Sequence, residues 1–360
     1  MTIGLTGGGT GGHIYPALAV LEHLRAIAAP PRTIYLGARG GREESLAQAY
    51  GLTFIGLSAR KIQRLMSPDT LWTLAVLFRG YLQARRALQR IQPDAILGTG
   101  GYVAAAACLA AAHLQIPVIL HEQNAVPGRT NLWLARKARR ICVSFRGTEA
   151  AFPAGMAIWT GVPIRSDIVS TSAKAEARTH FGIPCGAFVI LVLGGSQGSA
   201  AINATVRKAV SQLPEDAYVL HQTGDGDNPE SPSADSRYLP RGYFDRTDLP
   251  LAYRSADLVL SRAGASSLAE IAANELPSIL VPYPYAYADH QTVNAGAFVE
   301  AGAAALIPQS DLSADRLISE FHRSMSDRSG LVAMARAAAG LAARGAAEAV
   351  ADEVMKAAGR

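Results

Sequence analysis

The stretch TIGLTGGGTGGHIYPALAV, residues 2–20, decides the predicted fold of this chain. It begins as a short β-rich run, passes into the glycine loop Gly7–Gly12 and continues as a helix. The stretch FVILVLGGSQGS, residues 188–199, repeats this order around the loop Gly194–Gly198. A strand that runs through a glycine loop into a helix opens a Rossmann-like parallel sheet. We therefore predict one such sheet in each half of the chain.

The rest of each half alternates in the same way. Short β-rich runs are separated by helix-length amphipathic stretches, which is the pattern of a parallel α/β sheet. The predicted strands are 2–6, 33–36, 53–55, 95–97, 117–120 and 141–143 in the first half, and 188–193, 218–221, 258–260, 278–281 and 304–307 in the second. The segment 225–241 is predicted to be a loop because it is rich in Pro, Ser, Asp and Gly.

The length of the chain favours two domains. Its 360 residues exceed the size, roughly 250–300 residues, at which single hydrophobic cores stop growing. The motif GVPIR, residues 161–165, is the predicted junction. We predict a first domain over 1–165, a second over 166–340, and a C-terminal helix over 341–360, for which the pattern leaves open packing on the first or on the second domain.

The composition excludes several classes of protein. Apolar residues make up 49% and charged residues 18%, which argues against wholesale disorder. The three cysteines have no CxxC spacing, as expected in a reduced compartment. The N-terminus lacks the basic and long apolar regions of a signal peptide. The most apolar window, 101–120, is interrupted by polar residues and a proline, so we predict a helix and a strand there rather than a membrane span.

The net charge of +5 is unevenly distributed. Residues 1–165 contain 18 Lys and Arg against 7 Asp and Glu, whereas the remainder contains 16 against 22. A basic first half indicates an anionic partner: nucleic acid, an acidic membrane surface, or the phosphates of a substrate.

The first glycine loop is a candidate phosphate site. Gly7, Gly9 and Gly12 satisfy the pattern GxGxxG, and bare backbone at a helix N-terminus favours an anion. A dinucleotide site would need an acidic residue at the end of the second strand, but the first acids there are Glu43 and Glu44. We interpret the loop as a site for a bulky anion, and a tight turn without a ligand is the alternative.

His13 follows that loop, where an imidazole can accept a proton from an attacking hydroxyl. A structural cap is the alternative. The segments GTGGY, 98–102, and HEQN, 121–124, follow two further predicted strands, at the sheet edge where open α/β sheets bind ligands. The first offers an amide-lined anion pocket. The second offers polar groups for sugar hydroxyls, or only a polar entry to a helix.

The second half holds its own candidate sites. The loop Gly194–Gly198 is another phosphate cradle, and RAGASS, 262–267, leads into a helix that carries Glu270. A carboxylate there can accept both hydroxyls of a ribose; the alternative is an acid favoured by the helix dipole. His290 and Gln291 begin a later predicted helix and can bond sugar hydroxyls.

Two further features leave alternatives open. Asp225 and Asp227 have a spacing that can hold Mg²⁺ through a diphosphate, but we favour ordinary turn residues and predict no metal site. The run that contains Leu71, Trp72 and Phe78 lies among arginines. It fits either an anionic membrane interface or a fully buried helix.

Six motifs occur together and in order: GGGTGGHIYPALAV, GTGGYV, HEQNAVPGRTN, GGSQGS, RAGASSLAE and DHQTVNA. In this order they resemble the MurG family, the UDP-N-acetylglucosamine transferases that convert lipid I to lipid II in bacterial peptidoglycan synthesis. The resemblance runs from Gly7 to about Ala305. It implies a GT-B fold, in which two Rossmann-like domains face each other across a cleft. It also implies an acceptor-binding first domain, a donor-binding second domain, and no cofactor or obligatory metal.

The resemblance also implies roles for individual residues. Donor contacts with UDP-N-acetylglucosamine are implied for Asn124, Arg165, Ser196, Gln197, Arg246, Ala265, Ser267, Glu270, His290 and Gln291, with the uracil read by backbone near 244–246. Acceptor diphosphate contacts are implied for Thr10, Gly11, Gly12, Gly101 and Tyr102. His13 is our candidate for the general base and Glu122 the second candidate.

The reaction implied is an inverting transfer of N-acetylglucosamine to the 4-hydroxyl of N-acetylmuramic acid linked to undecaprenyl diphosphate. The implied location is peripheral, on the cytoplasmic face of the inner membrane. The implied partners are lipid I, the anionic membrane surface, and other cell-wall synthesis and division proteins, but no nucleic acid. Three rival predictions are a GT-B glycosyltransferase acting on a different membrane lipid, a nicotinamide dehydrogenase, and a non-enzymatic nucleotide-sugar sensor.

Overall fold

The structure is a computed structural model that describes residues 1–60, 68–195, 197–224 and 235–359. The chain forms two compact units. The first comprises Met1–Arg165 together with the segment that begins at Arg344, and the second comprises Ser166–Ala343. Each unit is built on one parallel β-sheet.

The first unit alternates strands and helices along the chain. Its strands are β1 (Thr2–Thr6), β2 (Arg32–Ala38), β3 (Thr53–Leu57), β4 (Ala95–Gly98), β5 (Val118–Glu122), β6 (Arg140–Val143) and β7 (Ala157–Trp159). Its helices up to the junction are α1 (Gly11–Ala26), α2 (Arg42–Ala49), α3 (Pro68–Ile91), α4 (Gly101–His113) and α5 (Arg129–Leu134).

The second unit repeats the alternation. Its strands are β8 (Phe188–Leu193), β9 (Ala217–Gln222), β10 (Tyr238–Arg241), β11 (Leu258–Ser261), β12 (Ser278–Leu280) and β13 (Ala304–Leu306). Its helices are α6 (Lys174–His180), α7 (Ala200–Ala209), α8 (Asp248–Ser255), α9 (Ala265–Ala273), α10 (His290–Glu300), α11 (Ala314–Ser326) and α12 (Arg328–Leu341). The chain then adds α13 (Ala346–Ala357) to the first unit.

Both sheets have a point at which the strand order reverses. The first sheet has the order β3-β2-β1-β4-β5-β6-β7, and the second has the order β10-β9-β8-β11-β12-β13. The connections therefore leave in opposite directions on either side of the β1/β4 pair and of the β8/β11 pair. Open parallel sheets bind their ligands at such switch points, beyond the carboxyl ends of the strands.

The first sheet is buried on both faces. Leu5 and Ile119 belong to a core shared with α1, whereas Ile96 and Leu120 belong to a second core shared with α4. A strand buried on both sides is apolar at successive positions, not at alternate ones. This is why these strands were recognisable as short continuous apolar runs.

Helix α13 completes the core of the first unit. Val350, Ala351 and Val354 are buried in the same cluster as Leu5 and Leu18, and α13 contacts α1, β4 and β5. The predicted C-terminal helix over 341–360 thus corresponds to two elements, the end of α12 and the whole of α13. They belong to different units.

The sequence-based prediction missed β7 and β10. The segment 225–241 was predicted to be a loop throughout, which is wrong for Tyr238–Arg241. This strand lies at the sheet edge, and its Pro240 is opposite His221 of β9. An edge strand of four residues with an internal proline carries almost no periodic signal. The three residues of β7 also lie at an edge.

Candidate active site

In the first unit, the loops after β1 and β4 meet at the switch point. The Thr99 backbone N–H donates to the carbonyl of Thr6 at 2.9 Å. A Cβ added to Gly101 would collide with the carbonyl of Gly8, and one added to Gly7 would collide with the Thr99 hydroxyl. Glycine at these positions is therefore required by the packing of one loop on the other.

The sequence suggested that the whole glycine loop faces an anion, but some of its glycines pack against protein instead. Gly8 lies directly over the buried carboxylate of Glu43, which accepts the backbone N–H of Ala38 at 2.9 Å. At Gly12 the nearest atom to an added Cβ would be the Thr10 hydroxyl, at 3.9 Å. Both Thr10 and Gly12 are exposed. The open part of the loop is therefore its second half, where α1 begins.

The other predicted acceptor residues lie beside this open part. Gly11 is the first residue of α1, and Gly101 and Tyr102 are the first two of α4. All three are half-buried. The Tyr102 ring lies against Gly9, and burial, with a contribution from Glu43, raises the pKa of its hydroxyl. Two helix N-termini and a neutral phenol thus surround the switch point, which favours an anion.

His13 is held in one orientation by the carbonyl of Thr99. Its Nδ1 lies 2.9 Å from that oxygen, which also accepts the Gln123 side-chain amide at 2.6 Å. A carbonyl oxygen cannot donate, so the proton of the neutral imidazole is on Nδ1 and the lone pair is on Nε2. This is the tautomer that a general base needs.

Glu122 has a different environment from the one the sequence suggested. It is only 1% exposed, at the end of β5. Its carboxylate accepts the backbone N–H groups of Asn124 and Gly128 at 3.0 and 2.9 Å, and the Asn131 amide at 2.8 Å. These bonds shape the loop that presents Asn124. The geometry is that of a buried structural acceptor, which argues against the prediction of Glu122 as a base.

The neighbouring His121 is buried and neutral. Its Nε2 is 3.0 Å from the carbonyl of Gly161, and burial lowers its pKa to about 4. It links the end of β5 to the GVPIR segment. Arg165, the last residue of that segment, is half-buried at the end of the first unit. Asn124 and Arg165, both predicted to contact the donor, therefore belong to the first unit.

In the second unit, the loops after β8 and β11 meet at the other switch point. Gly195 has a φ of 93°, and an added Cβ there would meet no atom within 4 Å. Gln197 is exposed, and Ser199 caps α7 by accepting the backbone N–H of Ile202 at 3.4 Å. Ser196 lies outside the described residues. The loop thus presents open backbone at the start of a helix.

Arg262 is a functional candidate that the sequence did not single out. The residue is 7% exposed, and its guanidinium donates to Ser199 Oγ at 2.7 Å and to Gln309 Oε1 at 2.6 Å. It also donates to the carbonyls of Val281 and Pro282. Burial lowers its pKa. This arginine fixes three chain segments around the loop, and it adds positive charge behind the N-terminus of α7.

Helix α9 begins at the same switch point and carries three predicted donor residues. Ala265 is buried in its first turn, so it can offer a ligand only backbone. Ser267 and Glu270 are half-buried. The Glu270 carboxylate accepts the hydroxyl of the buried Tyr253 at 2.9 Å, which orients it.

His290 and Gln291 present complementary groups at the start of α10. His290 Nδ1 is 2.9 Å from the carbonyl of Tyr287, so its Nε2 carries the lone pair. Gln291 Oε1 accepts the backbone N–H of Tyr283 at 2.9 Å, so its NH₂ group points away as a donor. Together they can accept from one sugar hydroxyl and donate to another oxygen.

Arg246 lies on the surface of the second unit, where it pairs with Asp167 at 2.5 Å. Phe244, two residues earlier, is buried. Within the described part of the chain, no group of His, Cys, Asp and Glu side chains is arranged to hold a metal ion. Asp225 and Asp227 lie outside that part.

The aromatic run of α3 is exposed. Trp72 is 62% and Phe78 61% exposed, so a fully buried helix is wrong; for Leu71 only the helical backbone is described. Phe78 stacks on Tyr81, which adjoins a cavity also lined by Arg85, His113 and Lys137. Across the ranges that the structure describes, no helix combines the length and apolar character needed to cross a bilayer.

Known proteins share this organisation. Residues 3–143 match the glycosyltransferase family 28 N-terminal domain, and residues 189–350 match the glycosyltransferase family 28 C-terminal domain. A relative from Methylococcus capsulatus is 42% identical over 98% of this chain and 97% of its own length. One from Moorella thermoacetica is 37% identical over 99% of both. Both are named UDP-N-acetylglucosamine--N-acetylmuramyl-(pentapeptide) pyrophosphoryl-undecaprenol N-acetylglucosamine transferase.

A solved structure gives the same result. The crystal structure of Acinetobacter baumannii MurG superposes with a TM-score of 0.76 at 29% identity, and the alignment covers 99% of each chain. The predicted fold class, a GT-B glycosyltransferase with two Rossmann-like parallel sheets, is confirmed.

Proposed function

Because this chain belongs to glycosyltransferase family 28, we propose that it transfers N-acetylglucosamine from UDP-N-acetylglucosamine to lipid-linked N-acetylmuramyl-pentapeptide. This is the reaction in the names of its relatives. The observation that carries the proposal is the pair of switch points, one in each unit, each with open backbone at the start of a helix. The two substrates each carry a diphosphate, and each switch point suits one.

The donor binds at the switch point of the second unit. The loop Gly194–Gly198 and the first turn of α9, with Ala265 and Ser267, hold the diphosphate through backbone amides and a hydroxyl. Glu270 accepts the ribose hydroxyls, in the orientation that its bond from Tyr253 favours. Ser196 and Gln197 complete the phosphate loop, and Arg246 adjoins the backbone that reads the uracil.

The donor sugar is held by polar side chains of the second unit. His290 accepts and Gln291 donates, in the orientations that their bonds to Tyr287 and Tyr283 set. Asn124 and Arg165 are two further donor contacts that the resemblance to the MurG family implies.

The acceptor diphosphate binds at the switch point of the first unit. Thr10, Gly11, Gly12, Gly101 and Tyr102 surround it. The acceptor 4-hydroxyl attacks the anomeric carbon as the bond from that carbon to the UDP oxygen breaks, which inverts the configuration. His13 Nε2 takes the hydroxyl proton. Charge that develops on the leaving diphosphate is stabilised by the preorganised amides of the donor loop and by the buried charge of Arg262.

The acceptor is anchored in a membrane, so the enzyme works at a membrane surface. Trp72 and Phe78 insert at the interface, a role that the sequence also predicted for Leu71, and the cations Arg85 and Lys137 face anionic headgroups. The basic first half of the chain strengthens this attraction. We assign the protein to the cytoplasmic face of the inner membrane, where other cell-wall synthesis and division proteins are its partners.

A transfer assay tests the proposal. Radiolabelled UDP-N-acetylglucosamine and a lipid I analogue are incubated with the enzyme, with and without EDTA, and labelled lipid is measured. A second reaction offers diacylglycerol. We expect label only in the lipid I product. Label in diacylglycerol instead would favour a GT-B transferase for another lipid, and UDP-N-acetylglucosamine binding without any transfer would favour a sensor.

A further inference from the structure

We propose that Gln222 is a positioning residue that couples the base-binding half of the donor site to its diphosphate-binding half. This rests on the proposed function, which takes Gly194–Gly198 as the diphosphate loop and 244–246 as the segment that reads the base. Gln222 is the last residue of β9 and is 6% exposed. No motif or resemblance had drawn attention to it.

The side-chain amide of Gln222 bonds both parts of the site. Its Nε2 donates to the carbonyl of Gly195 at 3.2 Å, and its Oε1 accepts the backbone N–H of Phe244 at 3.0 Å. A carbonyl can only accept and a backbone N–H can only donate, so the orientation of the amide is fixed from both ends. One residue therefore sets the spacing between the loop and the segment.

The backbone that follows Gln222 is packed tightly on both sides. Gly224 donates its N–H to the carbonyl of Gly242 at 2.8 Å, next to the base-reading segment. On the other side, a Cβ added to Gly198 would collide with the carbonyl of Thr223. A Cβ added to Gly224 would lie 2.5 Å from the carbonyl of Gln197. The end of β9 is thus enclosed between the two parts, and neither can shift without moving it.

The base-reading segment is held firmly elsewhere. The buried ring of Phe244 makes an edge contact with Phe181 at 6.0 Å between centroids. Asp245 Oδ1 accepts the backbone N–H groups of Thr247 and Asp248 at 2.7 and 2.8 Å. The segment therefore has a fixed shape, and its bond to Gln222 sets its position relative to the phosphates. Because the base and the diphosphate of a nucleotide are covalently joined, this spacing decides whether both can bind at once.

Two substitutions separate the two bonds. Gln222→Glu keeps an acceptor for the Phe244 N–H but loses the donor to Gly195 and places two oxygens against each other. Gln222→Met has a similar length and loses both bonds. The matched control is Gln212→Glu, which makes the same change of charge at an exposed position of the same unit.

The readout is the affinity for uridine and for UDP, measured by NMR titration and by calorimetry. We expect the ratio of UDP to uridine affinity to fall about tenfold in both Gln222 variants. In each, the carbonyl of Gly195, near the phosphates, loses the hydrogen bond from the side chain at position 222. Uridine affinity should fall about fivefold in Gln222→Met and stay within about twofold of wild type in Gln222→Glu. Gln212→Glu should match wild type throughout.

Each other outcome is decisive. A lower ratio in Gln222→Glu but not in Gln222→Met would assign the effect to the added charge and overturn the proposal. Equal losses of uridine affinity in both variants would point to general damage to the fold, which melting temperatures would reveal. If wild-type enzyme bound UDP no more tightly than uridine, the proposed donor site itself would be wrong.

Discussion

The carbonyl oxygen of Thr99 lies 2.9 Å from Nδ1 of His13 and holds the imidazole with its lone pair on Nε2. Thr99 follows β4, whereas His13 lies in the first turn of α1, after β1. The side chain proposed to take the proton is thus oriented by the neighbouring loop of the same switch point.

His13→Ala should lower kcat by about 10²–10⁴-fold, the usual contribution of a positioned base. The Kd for UDP should not change, because UDP is proposed to bind the second unit. His13→Gln should be equally slow, since its amide can still donate to Thr99 but cannot take a proton. Steady-state kinetics and UDP titration measure both quantities. His322→Ala, at an exposed position, is the control; turnover near wild type in His13→Ala would rule out this role.

Gly8→Ala should lower the free energy of unfolding by about 2 kcal/mol, because the new methyl group would overlap the buried Glu43 carboxylate. Denaturant unfolding measures the change. In a Glu43→Ala background the same substitution should have a much smaller effect. Gly12→Ala is the matched control: the nearest atom to its methyl group is the Thr10 hydroxyl at 3.9 Å, so it should not destabilise the protein. Equal losses at Gly8 and Gly12 would contradict the packing argument.

Stability should fall as the pH drops from about 6.5 towards 4, partly because of His121. Its folded pKa, about 4, is below its ordinary value, so the unfolded chain binds the proton first. The unprotonated His121 therefore adds about 3 kcal/mol to the free energy of unfolding above pH 6.5, and this contribution is lost as the pH falls towards 4. Urea unfolding across this range measures the slope. His121→Asn should have the shallower slope, and parallel slopes would show that carboxylates alone account for it.

Trp72→Ser combined with Phe78→Ser should weaken binding to vesicles of anionic phospholipid by at least tenfold, because two exposed rings no longer enter the interface. Added salt should also weaken the binding of the wild-type protein, because salt screens the attraction between the anionic lipids and the cations Arg85 and Lys137 near Tyr81. Vesicle co-sedimentation measures both effects. Val332→Ser, exposed on the second unit, is the control. Unchanged sedimentation of the double variant would mean that these aromatics do not contact lipid.

The two glycine loops carried most of the fold prediction. A glycine loop between an apolar strand and a helix is typical of the start of a Rossmann-like sheet. The loops Gly7–Gly12 and Gly194–Gly198 therefore predicted both sheets. The edge strands β7 and β10 carried no comparable signal, because each is short and only partly buried. The return of α13 to the first unit depends on long-range packing that local periodicity does not encode.

The candidate site was predictable as a set of loops but not as a set of contacts. The sequence placed Glu122 beside the ligand, and only the structure shows its oxygens bonded to Gly128 and Asn131. Conversely, Gln222 lies at a strand end without any motif of its own, and Arg262 opens the RAGASS motif without an evident role. Their importance arises from partners far along the chain, such as Phe244 and Ser199.

The position of α13 has a consequence for the order in which the chain folds during synthesis. Val350 and Val354 are buried with Leu5 and Leu18, yet the ribosome must translate the whole second unit between them. Until α13 emerges, the face of the first sheet beneath it remains exposed to water. The second unit, although it comes later in the gene, can therefore finish folding first, and the nascent first unit should bind chaperones for longer.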